Sequence, residues 1–302
     1  MNIIVKIVFL ICLLASYSVS ATIKIVTTTQ DLASIANIVG GENVEVKSLT
    51  PGTRDPHYAE AKPSMIRKVY RADLLLLIGA DIEIGWLPAL LRSARNSDVQ
   101  KGSRGYLDLS SSIDLLGKLK IATDRSMGDV HAKGNPHYWL DPNNGILMSQ
   151  VIAERLTELD PENKESYRQR QSTFENKLAQ KIVEWREKLL PLKGKSVVAY
   201  HKSLTYLAEA FDFKIVAEVE PKPGISPSAK HLNKLVNLIK EQNIKLLILE
   251  PYYEKRSSEL LSKKTGIQIA VLPQSVGAMP EIENYFDLFD GIVSELKIAG
   301  NF

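Results

Sequence analysis

Two blocks of alternating strand and helix signals, separated by a long stretch that reads only as helix, restrict this chain to very few folds. The first block opens with Thr22-Ile23-Lys24-Ile25-Val26-Thr27, which alternates and is rich in β-branched residues. Asp31 predicts the cap of a helix over Leu32–Val39, stopped by Gly40-Gly41. A second strand follows at Val44–Leu49, a helix at Ser64–Tyr70 and a third strand at Asp73–Ile78. The rhythm resumes with strands at Ser196–Tyr200, Ile215–Val219, Lys245–Leu249 and Ile267–Leu272. Helical segments at Ser203–Phe211, Ala229–Gln242, Ser257–Lys264 and Tyr285–Leu296 lie between and after them. Strands that alternate with helices pack as a parallel sheet with helices on its faces. The stretch from about Asn143 to Leu190 is highly charged, with Leu178, Ile182 and Trp185 at helical spacing. Asp160-Pro161 interrupts it, because proline disfavours helix in the residue before it and starts a new helix well. The piece from Pro161 to Leu190 would be about 45 Å long at 1.5 Å per residue. The predicted fold class is α/β: two βα domains with parallel-rich sheets joined by one long rigid helix, with a cleft between them. Residues 22–155 form the N-terminal domain, 156–192 the linking helix and 193–302 the C-terminal domain.

The first 21 residues read differently. A short basic start ending at Lys6, an apolar run from Ile7 to Ala15 and small residues at Ser18–Ala21 predict a signal peptide over residues 1–21. The run is too short to span a bilayer, which takes about 20 apolar residues. Cys12 is the only cysteine and sits inside the apolar run, not at a lipidation site, so the mature chain has no disulfide, thiolate ligand or thiol nucleophile. The expected location is the periplasm, reached by cleavage of that peptide, and the expected state is a monomer. With 38 Lys+Arg against 35 Asp+Glu the formal charge is only +3, which argues against a nucleic-acid partner.

Five histidines carry the chemistry: His57, His131, His137, His201 and His231. His57 sits in Asp55-Pro56-His57-Tyr58 after the second strand, and His201 follows the strand that ends at Tyr200. These are equivalent places in the two domains, where open α/β sheets present functional groups. His137 lies in Asn135-Pro136-His137-Tyr138-Trp139-Leu140-Asp141-Pro142, before the helical section. Neutral imidazole is the commonest metal ligand, and three such loops would supply three ligands to a zinc-type site. His231 lies inside a polar helix and His131 in the loop Gly128–Gly134, and neither is assigned a role.

At Asp55-Pro56-His57, at Asn135–Pro142 and at Tyr200-His201-Lys202, the chain resembles the metal-binding solute-binding proteins of zinc and manganese ABC importers. The resemblance runs from Ile23 to the final helix and includes the long linking helix. It implies a periplasmic receptor that captures a divalent metal ion, most simply zinc with manganese second, and delivers it to a membrane permease. It implies His57, His137 and His201 as metal ligands. Histidine at 201 resembles the zinc branch, since manganese prefers oxygen ligands. The family's fourth ligand, a late-loop aspartate, corresponds to Gln274 here. Glu250, at the end of the Leu246–Leu249 strand, is a rival, and water is a third option. The histidine-crowded loop of many relatives is short here and holds only His131. Affinity should fall as pH drops below about 6.5, because ligation needs neutral imidazole. The proline-rich segment Glu220–Ser228 reads as a rigid connection. The alternative function is a secreted zinc-dependent hydrolase using the same three histidines, with Glu250 as base. Against an enzyme, the chain has no His-Glu-x-x-His helix, no Gly-x-Ser-x-Gly elbow and no phosphate or dinucleotide loop.

Overall fold

The computed structural model describes residues 22–118, 131–222 and 224–302. The expected signal peptide, with Cys12, lies outside the described residues. Two four-stranded parallel sheets make the frame. The first contains β1 (Ile23–Thr27), β2 (Val44–Ser48), β3 (Leu74–Leu77) and β4 (Tyr106–Asp108), in the order β2-β1-β3-β4. The second contains β5 (Ser196–Ala199), β6 (Lys214–Glu218), β7 (Leu246–Leu249) and β8 (Gln268–Val271), in the order β6-β5-β7-β8. The two orders are the same pattern, so each strand of one sheet has a counterpart in the other. Central strands β3 and β7 read Leu-Leu-Leu-Leu and Leu-Leu-Ile-Leu and are buried throughout, as parallel strands covered on both faces must be. Edge strand β2 instead mixes buried and exposed positions.

Nine α-helices occur among the described residues: α1 (Gln30–Gly40), α2 (Pro63–Tyr70), α3 (Leu87–Ala94), α4 (Pro142–Leu159), α5 (Lys164–Lys188), α6 (Thr205–Ala210), α7 (Ala229–Glu241), α8 (Arg256–Thr265) and α9 (Tyr285–Gly300). The long helix starts at Lys164 rather than Pro161, after a 3₁₀ turn over Pro161–Asn163. Tyr167 and Asn163 both donate to the Asp160 carboxylate there, which fixes the bend between α4 and α5. At 25 residues α5 is about 37 Å long. Its buried stripe is Tyr167, Phe174, Leu178, Ile182 and Trp185, with intervals of 7, 4, 4 and 3 that keep one face inward.

That stripe backs both domains. Arg170 donates to Val39 O and Gly40 O at the end of α1, while Trp185 stacks on Phe289 of α9 and donates to Asp290. One hydrophobic core runs without a break from Ile25 and Leu32, through Leu178 and Trp185, to Ile248 and Phe289. Smaller cores fill the outer face of each sheet. A shared core makes large hinge motion costly, since opening would expose apolar surface at roughly 25 cal/mol per Å². No helix among the described residues is long and apolar enough to cross a membrane.

Two local expectations change. Asp31 does not cap α1, because Thr29 occupies the cap and its hydroxyl accepts from Leu32 N. Asp31 is fully buried and accepts from Ser275 Oγ (2.6 Å) and Val276 N (2.9 Å), tying the first domain to a loop of the second. The helix expected over Ser203–Phe211 is α6, Thr205–Ala210, and a turn separates it from His201.

Candidate metal centre

The two N-terminal histidine loops are built by the same local device. In Asp55-Pro56-His57, Asp55 Oδ1 accepts from the backbone N of His57 (2.9 Å) and from its ring Nδ1 (2.6 Å). In Asn135-Pro136-His137, Asn135 Oδ1 accepts from the same two atoms of His137, at 3.0 and 2.8 Å. An Asx side chain readily accepts from the backbone two residues on, and proline between them holds φ near −65°. The same oxygen then captures the ring. These oxygens can only accept, so Nδ1 carries the proton and Nε2 presents its lone pair. Asn135 also donates to Lys202 O (2.8 Å) and Thr205 Oγ1 (3.1 Å), which ties this loop to the His201 turn.

His201 is anchored from farther away. Its Nδ1 donates to Glu220 Oε2 (2.8 Å), 19 residues on, and the same oxygen accepts from Gly224 N (3.1 Å). The proline-rich segment expected to be only a connection therefore supplies the carboxylate that orients this ring. Behind it lies a buried polar network. Gln274 Nε2 donates to Ser203 Oγ (2.7 Å) and Glu250 Oε1 (2.8 Å), and its Oε1 accepts from Tyr252 OH (2.9 Å). The Gln274 amide is thus committed on both sides. Glu250 Oε1 also accepts from Ser203, whereas Glu250 Oε2 is buried without a partner.

Four imidazoles meet where these loops converge. Ring centres of His57 lie 5.2 Å from His131, 5.2 Å from His137 and 6.0 Å from His201, and His137 lies 5.6 Å from His201. Imidazoles bound to one tetrahedral zinc, at Zn–N of roughly 2.0–2.1 Å, have ring centres roughly 5 Å apart. His57 Nε2 and His131 Nε2 are 3.1 Å apart, near the roughly 3.3 Å between two nitrogens of such a tetrahedron. Among the described residues, no three His, Cys, Asp or Glu side chains are already drawn into a closed metal-holding group. The rings are gathered, with centres 5.2–6.0 Å apart, without forming a closed cage. His131, expected to do nothing, is therefore beside His57, and two residues on Lys133 Nζ pairs with Asp81 Oδ1 (2.8 Å). His231 is elsewhere, donating from Nε2 to Glu218 O on the rim of the second sheet (3.1 Å).

Electrostatics separates the two sides. Burial, reinforced by the charges of His57, His201 and His131, pushes His137 well below the ordinary imidazole value. Burial would also lower His201, but the Glu220 hydrogen bond and the charges of Glu250, Glu220 and Asp55 prevail and hold it above that value. Burial would raise Asp55, yet its hydrogen bond to His57 and the charge of that ring leave it lowered. Glu250 is pushed up to about 7 by burial, opposed by His201 and Ser203. Tyr253 bridges the two sides: its hydroxyl donates to Asp55 Oδ2 (3.2 Å) and its ring lies 5.7 Å from His201.

Two similar parallel α/β domains on one long helical spine, with inward-facing imidazoles at their strand ends, define a two-domain binding protein for a small ligand. The chain belongs to the family described as zinc-uptake complex component A, periplasmic (ZnuA), whose model matches residues 25–299. It is 27% identical over 255 residues to the metal ABC transporter substrate-binding lipoprotein SsaB of Streptococcus sanguinis, covering 83% of this chain and 79% of that protein. It is also 27% identical over 257 residues to the manganese ABC transporter substrate-binding lipoprotein scaA of Streptococcus gordonii, covering 83% and 79%. A crystal structure of ZnuA shares the fold with a TM-score of 0.74 at 24% identity, over 92% of this chain and 98% of that one. The family is one of substrate-binding components of metal ABC transporters.

Proposed function

We propose that this protein captures zinc in the periplasm, after removal of residues 1–21, and delivers it as a monomer to the permease of an ABC importer. The observation that carries this reading is the convergence of four imidazoles, three of which, His57, His137 and His201, are tied at Nδ1 to a fixed oxygen that leaves Nε2 for the ion. Such oxygen–histidine–metal arrangements set the tautomer and raise ligand basicity. His57 and His137 hold the ion from the N-terminal lobe, residues 22–155. His201 holds it from the C-terminal lobe, residues 193–302, and residues 156–192 are the spine. His131 is the nearest fourth donor, so it takes the position left open among Glu250, Gln274 and water. Glu250 supplies negative charge behind His201 rather than a direct bond, and Gln274 holds Glu250 in place. A nitrogen-rich donor set favours zinc over manganese, which prefers oxygen. A hydrolase using the same histidines has no support, because the family consists of substrate-binding proteins.

Metal analysis of the mature protein purified without chelator tests this reading. One zinc per chain is expected, and none in His137→Ala. A protein that carries no metal, or that keeps its zinc after that substitution, would remove the basis for the proposal.

A further inference from the structure

Away from the histidines, the outer face of the first domain carries a concentration of positive charge that the metal site does not use. Helix α2 forms a ridge between two grooves of about 530 and 750 Å³. One groove, over the edge of the sheet, is lined by Lys24, Lys47, Arg67, Lys68 and Arg71. The other, between α2 and α3, shares Arg67 and adds Arg92 and Arg95. The only acidic residue lining either groove is Glu45, which is paired with Lys47. Seven cations against one carboxylate exceed the +3 of the whole chain, so the rest of the molecule is net acidic. Among the described residues, Arg67, Arg71, Arg92 and Arg95 make no ion pair or side-chain hydrogen bond, and all four are exposed. Tyr70, at the end of the ridge, is 64% exposed.

We propose that this face binds the surface of an anionic phospholipid membrane, with lipid phosphates entering the two grooves and Tyr70 resting at the headgroup level. The central charge distinguishes it from a protein-docking surface, whose core is depleted of charged residues and has its polar groups at the rim. Here the middle of the patch is arginine, and the uncharged side chains beside it are Ile25, Val26, Ser64, Ile66, Tyr70, Ala89, Ser93 and Ala94. Guanidinium groups suit phosphate, exposed tyrosine suits a membrane interface, and clustered cations are drawn to anionic lipid. The attraction is long-ranged and acts on the folded domain as a whole, so it needs no rearrangement of the fold. The inference does not depend on which metal the histidines hold.

The test uses the full mature protein and sedimentation with vesicles of equal parts phosphatidylglycerol and phosphatidylcholine, compared with phosphatidylcholine alone. Binding to the anionic vesicles should be at least about tenfold stronger at low salt and should fade as salt is raised. The triple variant Arg67→Glu, Arg71→Glu, Arg92→Glu should lose about tenfold or more in that binding. A control with the same change of charge on α7, Lys230→Glu, Lys234→Glu, Lys240→Glu, should stay within about twofold if the patch rather than net charge attracts lipid. Zinc titration of each variant reports whether the fold and the metal site survive, independently of lipid. Equal binding to neutral and anionic vesicles, or equal loss in the two triple variants, would overturn the proposal.

Discussion

The two halves of the molecule solve one problem with matching parts and opposite completeness. Strands β3 and β7 are counterparts, and each is followed by a buried glutamate, Glu83 and Glu250, that burial pushes up to about 7. Glu83 is fully employed: its oxygens accept from Thr28 Oγ1 (2.7 Å), Ile78 N (2.8 Å) and Gly79 N (3.0 Å). It pins a turn whose Gly79, Ala80 and Asp81 all have positive φ, a conformation costly for the two non-glycine residues. Glu250 keeps one oxygen unpartnered beside the histidine cluster. A buried glutamate beyond the third strand is thus fully hydrogen-bonded in one domain and has one oxygen without a partner in the other.

The histidine anchors show the same asymmetry. His57 and His137 are held by oxygens two residues away, so their orientation is written into an Asx-Pro-His tripeptide. His201 depends on Glu220, which reaches it only once β5 and β6 are paired. The electrostatics follow the same split: burial holds His137 well below the ordinary imidazole value, whereas the carboxylates around His201 hold it above that value.

The largest effects should come from removing a ring. His137→Ala and His201→Ala should each weaken zinc by more than about a hundredfold, beyond the 10–100-fold typical of groups that only orient a ligand. His231→Ala, read by the same competitive titration, should change nothing. Equal losses at His201 and His231 would break the assignment. Next comes Glu220→Gln, which should cost about tenfold and act through His201. Calorimetry in buffers of different ionisation enthalpy should show that zinc expels more protons from wild type than from this variant. Because His201 is raised, affinity should begin to fall above the reference value of about 6.5 rather than only below it.

Glu83→Gln should leave zinc affinity alone and change stability instead. A carboxyl raised from 4.5 to about 7 on folding favours the folded state fully below 4.5 and loses that contribution as pH rises through about 7. Across that window wild type should lose about 3 kcal/mol that the variant does not, measured by chemical denaturation at several pH values. Parallel curves for the two proteins would mean that Glu83 is not the titrating group. The smallest effect belongs to Tyr253→Phe, which removes one hydrogen bond to Asp55 across the cleft and should weaken zinc by about two- to fivefold.

Much of the frame was legible because local signals agree with the tertiary structure. Short β-branched or leucine-rich runs between helical segments marked seven of the eight strands. The three-residue β4 and the eight-residue α3 were missed, being too short to show a period. Three histidines stood out through their motifs and their places after strands. Glu220, Tyr253 and Asp31 did not, because their partners lie 19, 198 and more than 240 residues away. The place of His131 was hidden for a related reason: a lone histidine in a Gly-rich stretch carries no local sign that its ring lies beside His57.

The central claim is that the cluster is a nitrogen-rich zinc site. Competitive titration of the mature, metal-free protein with zinc and with manganese, in one buffer at neutral pH, tests it most directly. The account predicts zinc binding at least about a hundredfold tighter than manganese, as an imidazole donor set and the divalent-metal affinity order require. Manganese binding as tight as zinc, or tighter, would contradict it.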